Sequence, residues 1–66
     1  MQKYQVHFQY FDRRIGCVIE ANVNAPQQLS ANGFWINNNL EMTTTSKGDQ
    51  VYFIPPSRII AIEKLR

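Results

Sequence analysis

Hydrophobic and polar residues alternate almost from the start of the chain. Tyr4, Val6, Phe8 and Tyr10 fall on one side of the alternation, and Lys3, Gln5, His7 and Gln9 on the other. Successive strand side chains face opposite sides of a sheet, so this pattern predicts a half-buried strand with an apolar inner face. Ile15, Cys17, Ile19, Ala21 and Val23 repeat it against Gly16, Val18, Glu20 and Asn22. Phe11, Asp12, Arg13 and Arg14 lie between the two runs as a polar tip, which predicts an antiparallel hairpin.

Pro26, Ser30, Asn32 and Gly33 then interrupt the alternation. Residues 24–33 therefore read as a loop, with room for one helical turn that seats Leu29 at the mouth of a barrel. Phe34, Trp35, Ile36 and Asn37 predict a short third strand, and Asn38 with Asn39 a turn. Residues 40–45 alternate again, with Leu40 and Met42 inward. Residues 46–49 predict a hairpin turn centred on Gly48, leading into a strand over 50–54. Pro55 and Pro56 stop that strand, because proline lacks an amide donor and fixes φ. A last strand runs over 59–65. Nothing has helical period over ten residues. The expected fold is all-β: one domain spanning residues 1–66, built as a small antiparallel barrel of about five or six strands, with a 3-10 turn from Pro55 to Arg58.

Pro56, Ser57, Arg58, Ile59 and Ile60 resemble the end of Src-homology-3-like and Sm-like barrels. That resemblance implies closure by a strand, a one-turn 3-10 helix, and a final strand returning to the first. Where Src-homology-3 domains place a groove tyrosine, this chain has Ile59, and neither their acidic loop nor their paired tryptophans occur upstream. The RNA-contacting motifs of Sm-like proteins have no counterpart at matching positions either. The resemblance implies a fold and no functional residue.

Length narrows the picture further. A chain of 66 residues buries only about 60% of its unfolded surface, and such scaffolds usually need a disulfide, a metal, tight packing or self-association. Cys17 is the sole cysteine, which excludes an internal disulfide. It and His7 are the only soft ligands, too few for zinc. Packing and a homo-oligomer are what remain. Neither a signal-peptide h-region nor a membrane-length apolar run is present, and a lone cysteine suits a reducing compartment. A cytoplasmic location is expected, with no membrane role. Met1 followed at once by a strand pattern leads to the expectation of a complete small gene product.

Charge adds little. The net charge of +2 is scattered, with only Arg13 and Arg14 adjacent among the cations, whereas dedicated nucleic-acid binders cluster theirs. His7 and Cys17 fall on opposite faces of the first hairpin, so they form no nucleophile–base pair, and Cys17 reads as a small core residue. No catalytic residue, metal site, cofactor or small-molecule substrate is expected. The favoured class is a non-enzymatic module that binds a partner protein or itself through Phe11, Val18, Ile59 and Ala61. The continuous apolar run 59–62 supports this, since a strand buried on both faces need not alternate. If Ile59 belongs instead to the turn, Ile60 and Ile62 point inward and only Ala61 outward. The alternative is a single-stranded nucleic-acid binder, with Arg13, Arg14 and Lys47 as cations and Trp35 and Tyr52 as stacking platforms near Tyr10 and Phe11.

Overall fold

The computed structural model describes residues 1–43 and 50–66, excluding the side chains of Gln50 and Val51. Among the described residues six strands and one short helix follow one another. They are β1 (Gln2–Tyr10), β2 (Arg13–Ala21), α1 (Ala25–Asn32), β3 (Phe34–Asn37), β4 (Met42–Thr43), β5 (Gln50–Ile54) and β6 (Ile59–Leu65), with a 3-10 turn at Pro56–Arg58. The protein is mostly β. Its strands form two three-stranded antiparallel sheets, ordered β2-β1-β6 and β4-β3-β5, and no closed barrel joins them among the described residues.

The first hairpin follows its sequence pattern. Tyr10 pairs with Arg13 across the two-residue loop Phe11-Asp12, and the register runs without a shift to Gln2 opposite Ala21. Val6, Phe8 and Cys17 are buried on the inner face, while Val18 is exposed on the outer one. Val23, expected inward, lies beyond the end of β2 and is 70% exposed. The inner faces of the two sheets meet at Phe8 and Phe34, whose rings pack edge to face at 5.0 Å. Ile36, Ile54 and Leu29 complete that core.

Three elements differ from the expected pattern. Residues 25–32 form an α-helix of two turns rather than a loop with one. Pro26 sits in its first turn, where a missing amide costs nothing, and Ala25 and Leu29, four residues apart, supply its buried face. Gly33 ends it at φ 74° and ψ −166°, donating its amide to Leu29 O at 2.9 Å.

The second difference concerns β4 and β5. They flank β3 on opposite sides instead of pairing with each other. The expected turn at Gly48, and Lys47 with it, lie outside the described residues. Leu40, expected inside a strand, sits in the β3–β4 turn at φ 62° and packs against the core from there. Asn37 organises that turn. Its Oδ1 accepts from the amides of Asn39 at 2.9 Å and Glu41 at 3.0 Å, and its Nδ2 donates to Glu41 Oε1 at 3.3 Å. A buried amide side chain is stable only when paired in this way.

The third lies in β6. His7 faces Ala61 but Phe8 faces Ile59, so Ile60 is an extra residue bulged out of the ladder. A bulge resets the two-residue alternation. Ile59 and Ile62 both pack against the core, and Ile60 turns outward, 46% exposed. The apolar run therefore reflects a bulge and not burial on two faces, and the alternative of an inward Ile60 is corrected too. Among the described residues no helix is long and apolar enough to cross a membrane.

Candidate binding groove

β1 ends at Tyr10, and the tight connection to β2 puts Phe11 at φ 55°. Left-handed backbone costs a side-chain-bearing residue roughly 1–2 kcal/mol, which is why glycine or asparagine usually occupies such a place. Gln9 Nε2 donates to Phe11 O at 3.1 Å and braces the bend. The consequence is a 62% exposed phenylalanine at the hairpin tip.

Phe11 does not stand alone. β5 runs out of the other sheet with Tyr52 pointing toward the tip, and the three rings pack edge to face in a closed triangle. Tyr10 and Phe11 are 4.8 Å apart, Tyr10 and Tyr52 5.6 Å, and Phe11 and Tyr52 5.3 Å. Such contacts each add about 0.5–1.5 kcal/mol beyond burial, enough together to hold the strained tip. The Arg13 guanidinium lies 5.9 Å from the centre of the Tyr10 ring, a cation–π distance.

A groove of about 450 Å3 is lined by this triangle together with Phe53, Ile54 and Pro55. Arg58, in the last turn of the 3-10 segment, also lines it. Pro55, which stops β5, thus also lines the groove. Partial burial pushes the Tyr10 phenol up from its ordinary value, the neighbouring Tyr52 adds to the rise, and Arg13 opposes it. The groove presents the Tyr10 and Tyr52 rings beside Arg58, with Arg13 over the Tyr10 ring.

The remaining candidates are dispersed. Of the proposed contact residues, Phe11 lies at the tip, Val18 and Ala61 face outward from β2 and β6, and Ile59 packs against the core. Of the stacking candidates, Tyr52 and Arg13 come together. Trp35 instead sits over Phe53 on the outer face of the second sheet, with ring centres 5.3 Å apart. Arg14 is exposed on β2. His7 and Cys17 occupy opposite faces. His7 contacts Glu63 at 3.3 Å, while the Cys17 thiol donates to Leu40 O at 2.9 Å. Among the described residues no group of three or more His, Cys, Asp or Glu side chains is placed to hold a metal.

Pro55 and Arg58 were not expected to take part, although Pro55 was noted as a strand stop. The signal that would have found the groove is the placement of aromatic residues at both ends of the fold, at 10–11 and 52–53. Fold and site together define a small, mostly β protein with an aromatic groove lined by Arg58, beside which Arg13 stacks on Tyr10. No family model, curated protein or solved structure matches the chain.

Proposed function

We propose that this chain is a non-enzymatic binding module whose groove at Tyr10, Phe11 and Tyr52 takes an extended segment of a partner protein. The observation that carries the reading is Phe11, a phenylalanine kept exposed at a backbone conformation suited to glycine. Strain retained at a surface aromatic is accounted for by use of that side chain in recognition. Rigid aromatic walls bind extended chain at low entropic cost, and Arg13 and Arg58 favour a segment bearing carboxylates. The order β5, 3-10 turn, β6, with β6 returning to β1, supports a Src-homology-3-like or Sm-like relationship as part of the same reading.

Titration of labelled protein with arrayed extended peptides, followed by amide NMR, tests it. Acidic peptides should shift the resonances of Tyr10, Phe11, Tyr52 and Arg58, and Phe11→Ser should abolish the effect. Peptide binding that leaves those four unmoved sinks the reading.

The pairing of Arg13 with the Tyr10 ring, next to Tyr52, favours a second reading: single-stranded nucleic acid stacked at the same rings. The ring edges are already engaged with one another, which leaves fewer open faces for bases. If nucleic acid binds, affinity should fall with salt by a log–log slope of about −0.7 per phosphate contacted. Absence of oligonucleotide binding at low salt removes this alternative.

A further inference from the structure

The sheet order leaves the outer edge of β2 without a strand partner among the described residues. The chemistry along that edge is self-complementary. Because Tyr10 faces Arg13 across a two-residue loop, that pair must exchange both of its backbone hydrogen bonds, and every second pair along the ladder does the same. With the register intact, Ile15, Cys17 and Ile19 direct their backbone groups toward β1. Arg14, Gly16, Val18 and Glu20 therefore direct theirs outward.

Lay a second copy of β2 antiparallel against this edge with a two-fold axis through Cys17. Arg14 then faces the copy's Glu20, and Gly16 faces the copy's Val18, each pair occurring twice by symmetry. All of these residues carry outward backbone groups, so the register is competent for hydrogen bonding. The side chains match as well. Arg14 and Glu20 stand on the same outer face and meet as opposite charges, Val18 covers its 59% exposed side chain beside a glycine, and Ile15 meets the copy's Ile19 on the inner face. Moving the axis to Gly16 or Val18 preserves the hydrogen bonds but separates both charge pairs. A cleft of about 500 Å3 lined by residues 16–20 and 40–42 lies beside this edge.

We propose that β2 is a homodimer interface, pairing antiparallel with the β2 of a second copy about Cys17. An isologous contact of this kind closes on itself, and the end charges disfavour other strands, a common guard on exposed edges. The interface uses no residue of the aromatic groove.

Sedimentation equilibrium on the full chain, with circular dichroism to verify folding, tests the register. The wild type should have twice the monomer mass. Arg14→Glu or Glu20→Arg alone places like charges opposite each other twice and should weaken the dimer roughly tenfold or more. The double variant Arg14→Glu/Glu20→Arg restores both pairs with reversed sign and should recover the wild-type dimer. Val18→Pro removes an outward amide without touching the β1 ladder and should yield a folded monomer. Phe11→Ser should leave the mass unchanged while abolishing peptide binding, so the groove and the interface fail independently. A monomeric wild type overturns the proposal, as does a double variant no tighter than the single ones. If Val18→Pro does not fold, the charge swap still decides.

Discussion

Gly33 links the helix to β3 where the β5 backbone passes close by, and replacing it by alanine should be among the most damaging small changes available. Its φ of 74° with ψ of −166° belongs to a region essentially reserved for glycine, and occupying it with a side chain costs about 1–3 kcal/mol. The new Cβ would also stand 2.4 Å from the Ile54 carbonyl oxygen, 2.9 Å from Phe53 Cζ and 3.2 Å from Pro56 Cδ. The first contact is with backbone and cannot be relieved by rotating a side chain. Either β5 retreats, disturbing the Phe34–Ile54 pair, or the helix loses the Gly33–Leu29 hydrogen bond, worth about 1 kcal/mol. The entropic gain usually credited to Gly→Ala does not apply where alanine cannot adopt the native backbone.

A loss of roughly 3 kcal/mol or more follows, against a total stability of about 3–10 kcal/mol for a chain of this size. Urea unfolding followed by the fluorescence of Trp35, the only tryptophan, measures it directly. In heat the shift should be of order 12–24 °C. Gln28→Ala, on an exposed position of the same helix, should stay within about 0.5 kcal/mol. A Gly33→Ala protein that loses less than about 1 kcal/mol refutes the reasoning, because it would mean the junction relaxes freely.

Other expectations can be checked with the same unfolding assay. Phe11→Gly should be more stable than Phe11→Ala by about 1 kcal/mol, since both lose the ring but only glycine relieves the positive φ; equal stabilities would deny the strain. Asn37→Ala should cost about 1–3 kcal/mol by stranding the amides of Asn39 and Glu41. Burial raises the Cys17 thiol above its ordinary value of 9.0, so the folded protein holds this proton more tightly than the unfolded chain. Its stability should be unaffected below that value and fall as pH rises through and beyond it. Cys17→Ala should lessen this alkaline loss, and an unchanged pH profile would remove the thiol as its source.

The first hairpin was legible because its two strands each keep one face in the core, so the two-residue alternation states the register outright. The short β3 and the stop at Pro55 were legible for equally local reasons. The helix was not, because only Ala25 and Leu29 mark its inner face and no acidic residue marks its first turn. Nor was the sheet order, since the pairing of β3 with both β4 and β5 is a tertiary choice. Cys17 could be assigned to the core from alternation, but its bond to Leu40 depends on where a later turn passes. The groove was half legible: Tyr10, Phe11, Arg13 and Tyr52 stood together in the nucleic-acid alternative, but with Trp35, which packs on Phe53 instead, and without Pro55 and Arg58. Their convergence requires β5 to approach the tip of β1, which no local pattern records.

The bulge at Ile60 has a consequence for how the chain tolerates a change in length. Remove that one residue and Ile59 and Ala61 become neighbours, opposite Phe8 and His7, partners they already have. The ladder would then be regular, with no core side chain displaced and no charge moved. What disappears is the local bend that lets β6 leave the 3-10 turn at its present angle. Shortening a strand by one residue normally turns its apolar face out to water. In β6 the same deletion would work as a repair, which makes this the place where a shorter version of the protein can keep the same core.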